Sequence, residues 1–394
     1  MRWVLGLSLI IIGLMVLPVG KAAGAKPAVY LQPVLTFESP LNNIHLDEDT
    51  RQQVDSLIRN KLKGMAVADE LPYEIRNMSW GGYYSSNEHI TASDEIFLYP
   101  AIMVSTSIDT ANNNSLETAY TSTVIAGISL LFCMPEENLD MSRMTEEGNT
   151  VSLRLLGIVP MVEAETIGLS QYNRQTDRWQ NLHNTPISNG EKQGKFISLV
   201  HRMLKNDISF SSIKNNLQDD EAKLGINTYQ VTEVGMSSGK AREMFMGQDA
   251  EDLQFLVGYF FTSAYQKKTK RVVYPPAVGG QQLADDMIDG AYRLSLDSAN
   301  GRVDVTMSHP GHPIRLDISG LASQMVDSGN NVYTNLHKVW LAKSPVEGEE
   351  QRELSRVSER TVKLLPGTSA DWHDNQIYTA LLLGLAQELA SQDK

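Results

Sequence analysis

Gly235-Met236-Ser237-Ser238-Gly239 is the sharpest chemical pattern in the chain, a match to G-x-S-x-G, the turn that carries the nucleophile in serine hydrolases. Such a turn works when backbone strain lifts the hydroxyl toward a histidine base and a neighbouring backbone N–H stabilises the oxyanion. His309, His312, His337 and His373 follow Ser237 in chain order, and Asp304, Asp317 or Asp327 could orient one of them. The surroundings weigh against catalysis. In that architecture the strand before the serine is interior to a parallel sheet and apolar on both faces. Tyr229-Gln230-Val231-Thr232-Glu233-Val234 instead alternates as a half-exposed antiparallel strand does. No repeated βα units precede it. The pattern favours a flexible turn with Gly235 and Gly239 as hinges, and leaves Ser237 as the weaker, catalytic alternative.

The same residues spell Ser237-Ser238-Gly239-Lys240, an S-x-x-K match, with Ser298-Ala299-Asn300 as a formal S-x-N further on. Penicillin-interacting serine enzymes also need a K-T-G triplet, and the chain has none. For metals, His309-Pro310-Gly311-His312-Pro313 brings two imidazoles close on a Pro/Gly turn, and Asp371-Trp372-His373-Asp374 is a second polar cluster. Two histidines and a carboxylate can hold zinc, yet neither H-E-x-x-H nor paired cysteines supports it, so His309 and His312 are only a weak metal alternative. Acid pairs such as Asp219-Asp220, Asp285-Asp286 and Glu349-Glu350 have no distinguishing spacing. Phosphate loops of the G-x-x-x-x-G-K-[ST] or G-x-G-x-x-G kind do not occur. The sequence thus implies no cofactor. The single cysteine, Cys133, sits in Leu130-Leu131-Phe132-Cys133-Met134 and is expected to be a buried small hydrophobe.

The elements that would position these groups follow from periodicity and punctuation. Ala28–Phe37 is predicted as an entering strand. Asp47-Glu48-Asp49 opens a helix with Val54, Leu57, Ile58 and Leu62 on one face and Gly64 as its stop. Tyr73–Trp80 is a short strand; Glu95–Thr110 and Glu117–Cys133 form an antiparallel hairpin, and Val151–Ile167 a third strand, kinked at Gly157 and Pro160. Tyr172 to Gly194 is a long polar loop or junction. Helical patterns occupy Phe196–Leu204 and Ser212–Leu224, then a strand Thr228–Val234, and then the helix Ala250–Tyr265 with its broad apolar face. Lys267, Lys268, Lys270 and Arg271 complement the dipole at that helix's end. Strands are predicted at Arg271–Tyr274, Ala291–Leu296, Arg302–Met307, Ile314–Ile318 and Val332–Ala342. The second and third of these form a hairpin with an Asn300-Gly301 turn. The last element is a helix from about Asn375 to Ala390, with Asp371 or Asp374 as its N-cap.

The predicted class is α+β, with two domains of mainly antiparallel sheet packed by amphipathic helices and a C-terminal helix. The predicted division is 1–25 signal peptide, 26–170 N-terminal domain, 171–227 connector and 228–394 C-terminal domain. The signal reading rests on Arg2, the apolar run Val4–Leu17, and Ala23-Gly24-Ala25 as a cleavage site after Ala25. Pro18, Gly20 and Lys21 end the run short of the roughly 20 residues of a membrane anchor, and no cysteine is available there for lipidation. Export to a periplasm is expected, with N-terminal anchoring or secretion as alternatives. One cysteine precludes an internal disulfide, which suits a periplasm better than a disulfide-rich exterior. Removing Arg2 and Lys21 takes the net charge from −13 to −15, which disfavours nucleic acid and anionic membranes as partners. The sequence therefore predicts an exported, non-catalytic component of a cell-envelope assembly whose partners are other envelope proteins and whose oligomeric state is open. Its alternatives are a serine hydrolase using Ser237, and a ligand binder with a cleft near Tyr172–Gly194.

Overall fold

The computed structural model describes residues 26–37, 41–77, 96–113, 118–135, 150–168, 171–173, 178–180, 183–205, 208, 210, 212–213, 228–276, 292–298, 301–307, 312–327, 329, 332–345, 351–363 and 374–392. The signal segment, the helical pattern after Ile213, His309 and His373 lie outside them. In chain order come β1 (Ala28–Leu31), β2 (Leu35–Phe37), α1 (Glu48–Val67), β3 (Glu74–Asn77), β4 (Ile96–Asn113), β5 (Thr118–Pro135) and β6 (Thr150–Ile167). A small pair, β7 (Gln171–Asn173) and β8 (Arg178–Gln180), precedes α2 (Asn189–Lys205), β9 (Tyr229–Gly235), α3 (Gly239–Met244) and α4 (Gln248–Thr269). The chain continues through β10 (Val273–Tyr274), β11 (Tyr292–Ser298), β12 (Gly301–Met307), β13 (His312–Asp327), β14 (Val332–Lys343), β15 (Arg352–Lys363) and α5 (Asp374–Ser391).

Local chemistry explains several boundaries. Pro33 divides the predicted entering strand into β1 and β2, since a proline has no N–H to give a ladder. Asp47 caps α1 by accepting the Thr50 N–H at 2.8 Å, and those bonds hold its carboxyl below the ordinary range. Gly64 does not stop α1. The helix runs on to Val67 because Met65 still has a buried place to pack, while Gly64 itself faces open space.

The first sheet has the order β2-β11-β12-β6-β5-β4-β1-β3, and β2 also pairs with β4. Six strands thereby close into a ring, and β1 and β3 extend it from the start of β4. Pairing is mixed. The β4–β5–β6 meander and β11–β12 are antiparallel, and β12 meets β6 in parallel. The predicted hairpin pairing forms, β11 antiparallel to β12 with Ser298 opposite Gly301, while Ala299 and Asn300 between them lie outside the described residues. The pair joins this first sheet, however, so the sheets do not follow the sequence division at residue 228.

The second sheet has the order β10-β9-β13-β14-β15. Here the expectation for β9 needs correction: it lies inside the sheet and runs parallel to both neighbours, β10 and β13. Its polar-looking half arises at a register shift opposite Ile314 and Arg315, which brings Glu233 beside Arg315 on an exposed face while Tyr229, Val231 and Val234 stay buried.

Helix α4 binds the two sheets together. Tyr259 crosses Gly127 of β5 closely enough that a Cβ there would come within 2.9 Å of its ring, and its hydroxyl shares a 2.7 Å hydrogen bond with Ser129 Oγ. Ser263 Oγ and Gln266 Nε2 donate to the carbonyls of Pro160 and Ile158 on the side of β6 that β12 leaves unpaired. Pro160 is tolerated there because its missing N–H would point to that same side. The buried residues of both sheets form one continuous core. No helix among the described residues is long and apolar enough to cross a membrane.

Helix α2 adds an ionic seam along β6. Lys195 bonds Glu165 at 2.6 Å, and Arg202 bonds Glu163 and Glu165 at 2.7 Å each. The Lys195 hydrogen bond, helped by Arg202, holds the Glu165 carboxyl below its usual range. A depressed native pKa gives stability that is present above the unfolded value near 4.3 and is lost as pH falls through the native one. Glu165→Gln is therefore expected to lower stability modestly at pH 7, where the contribution is fully present, and to converge with wild type as pH falls below about 4, so that the acid limb is flatter, measured by urea titration at several pH values.

Candidate functional site

The Gly235–Gly239 turn sits where β9 ends and α3 begins, so the strand–turn–helix context is real. Ser238 is the N-cap of α3 and accepts the Ala241 N–H through Oγ at 3.3 Å. Ser237 is held by Asp317 of β13. Its backbone N–H donates to Oδ1 at 2.9 Å and its hydroxyl to Oδ2 at 2.5 Å, while Arg242 Nη2 donates to its carbonyl at 3.4 Å. The carboxylate thus closes the turn from the neighbouring strand.

The described histidines lie elsewhere. His312 opposes Tyr229 at the opposite end of β9, with ring centroids 4.6 Å apart. His337 is buried opposite Ser323, its ring edge-on to Tyr378 at 5.3 Å. Of the candidate orienting acids, Asp317 carries the clamp and Asp327 bonds the Gly329 N–H at 2.7 Å. His312 is packed on an aromatic ring, and among the described residues no three His, Cys, Asp or Glu side chains gather as a metal site would. Cys133 is fully buried and desolvation pushes its thiol pKa up, the environment of an unreactive core cysteine.

Lys240, the lysine of the S-x-x-K match, turns away from Ser237. Its ammonium donates to Ser323 Oγ at 2.8 Å and to the Tyr378 hydroxyl at 3.2 Å, and lies 5.5 Å from the Tyr378 ring centre. It is a strut that pins α3 to β13 and to the first turn of α5. Sequence reasoning missed this cluster because its members are 83 and 138 residues apart.

Two cavities bear on ligand binding. One of about 250 Å³ lies between the outer ends of β4 and β5 and Pro186-Ile187, next to the predicted junction. Another, of about 320 Å³, lies between β6, α4 and the end of α5, with Glu163 and Lys267 at its rim. Small-molecule sites usually occupy about 300–1,000 Å³ and enclose most of the ligand. The junction cavity is below that range, and the other stands at its lower limit.

No family model matches the chain. No curated protein matches it either. Among solved structures, it shares a partial likeness with a putative neuraminyllactose-binding hemagglutinin homolog from Helicobacter pylori, at 8% identity over 51% of this chain and 95% of that one, with a TM-score of 0.28. A likeness that faint carries no argument for fold or function.

Proposed function

We propose that the protein is exported and serves as a non-catalytic, protein-binding component of the cell envelope. The observation that carries the non-catalytic half is the Asp317 clamp: the Ser237 hydroxyl and N–H are both engaged by one carboxylate. A nucleophile needs its hydroxyl aimed at a base that can accept and return a proton near neutral pH, and histidine is the usual choice. The export half rests on Arg2, Val4–Leu17 and Ala23-Gly24-Ala25.

Expression of the whole coding sequence in a two-membrane bacterium tests both halves. Osmotic shock should release a product whose first residue is Lys26, and a fluorophosphonate probe should leave it unlabelled. Retention in the cytoplasm would reject export, and stoichiometric labelling lost in Ser237→Ala would reject the non-catalytic reading. As a clamp residue, Ser237→Ala is expected to lower stability by about 1 kcal/mol through loss of one hydrogen bond. A urea titration measures it.

A further inference from the structure

Strand β15 is the outer strand of the second sheet, paired with β14 in unbroken register from Val332–Lys363 to Lys343–Arg352. Among the described residues the other outer strands are short by comparison, two residues in β10, three each in β7 and β8, and four in β3. An outer strand presents a row of N–H and C=O groups that can accept another strand, and monomers usually blunt a long one with proline, a bulge, charged side chains or a covering element; β15 does carry charges, but of both signs, which a second copy can match rather than repel. β15 has no proline and no bulge against β14. One face is held by α5, where Arg352 donates to the Gln392 carbonyl at 2.7 Å and Arg356 lies over Gly384. On the other face, at the middle of the strand, Val357 is 55% exposed, more than any other large apolar side chain recorded as exposed in a strand.

We propose that β15 pairs antiparallel with β15 of a second copy about a two-fold axis through Val357, making one continuous sheet across the pair. A two-fold axis normal to the sheet preserves its faces, so opposed residues are both odd or both even, and one residue sits on the axis. With Val357 there, Arg356 opposes Ser358, Ser355 opposes Glu359, Leu354 opposes Arg360, Glu353 opposes Thr361 and Arg352 opposes Val362. No like charges face one another.

Neighbouring registers fail this condition. An axis at Arg356 sets that residue against itself and Glu353 against Glu359; one at Ser358 opposes Arg356 to Arg360; one at Glu359 opposes that residue to itself. Like charges directly opposite destabilise a strand pair. An axis at Ser355 avoids such pairs but leaves the end of the strand unpaired. The charge pattern therefore selects the register that also buries Val357 and uses nearly the whole strand. This inference goes beyond the proposed function and does not depend on export.

Sedimentation velocity of the purified protein, as its host processes it, over a range of concentrations tests the pairing. Wild type should shift toward twice the monomer mass as concentration rises, and Val357→Lys, which sets two ammonium groups on the axis, should stay monomeric with an unchanged circular dichroism spectrum. Val357→Cys should give a disulfide-linked dimer on mild oxidation, a product that buried Cys133 cannot supply. A wild type that stays monomeric, a dimer unaffected by Val357→Lys, or no cross-link in Val357→Cys would each overturn the proposal. If Val357→Lys fails to fold, the cross-link decides.

Discussion

Gln266→Leu is expected to lower the unfolding free energy by about 3–5 kcal/mol, although leucine nearly matches glutamine in volume. The glutamine is buried on α4, and its amide serves three partners at once. Nε2 donates to the Ile158 carbonyl at 2.5 Å and to Ser212 Oγ at 2.9 Å, and Oε1 accepts the Val273 N–H at 3.1 Å. Ile158 is in the first sheet and Val273 in the second, so one side chain ties both sheets to the helix between them. Leucine keeps the packing and strands two backbone groups and a hydroxyl, each worth about 1–3 kcal/mol when left unpaired in the interior. Urea denaturation should show a lower midpoint with an unchanged slope. A loss under about 1 kcal/mol would mean that water takes over the three bonds.

How far the sequence reveals such a tie depends on the range of the interaction. The helix periodicity of Ala250–Tyr265 is local, and α4 forms over Gln248–Thr269 around it. That Gln266 would reach Ile158, 108 residues back, leaves no local trace. The hairpin around Asn300-Gly301 makes the same point: its turn chemistry is written in two residues, but its membership of the first sheet is decided by β6 and β2, far away in sequence. β15 escapes sequence reading altogether. None of the residues from Arg352 to Glu359 is buried, and the apolar alternation that marks a strand is weak in Arg-Glu-Leu-Ser-Arg-Val-Ser-Glu-Arg-Thr-Val-Lys.

The Gly235–Gly239 turn was half legible. Its place between a strand and a helix follows from local pattern, and the structure has both. The orientation of β9 was hidden because the register shift places an exposed Glu233 in an interior parallel strand, mimicking the alternation of an antiparallel one. The partner of Ser237 was hidden too. Asp317 is one of several acids that follow the motif, and only the pairing of Gly235 with Asp317 across β9 and β13 brings it to the serine. A short motif states what a residue type can do; the neighbouring strand decides what its hydroxyl does.

Two helical glycines test how well the packing of these elements is understood, because both sit under close neighbours and substitution should have very different consequences. Gly258→Val is expected to cost about 3 kcal/mol. A Cβ at Gly258 would lie 2.5 Å from Pro276 Cγ, 2.9 Å from its Cδ and 3.2 Å from Val234 Cγ2, and neither a proline ring nor a buried strand side chain can swing aside. The helix must then move off β9 and the segment after β10. At Gly384 on α5 the atoms in the way belong to the Arg356 guanidinium, the far end of a flexible side chain on an exposed strand. Arg356 can rotate outward, and alanine gains up to about 1 kcal/mol over glycine within a helix. Gly384→Ala should therefore melt within a few degrees of wild type or above it, while Gly258→Val melts well below, compared by calorimetry under one set of conditions. If the two variants lost equal stability, α5 would have to be held against β15 as rigidly as α4 is held against β9.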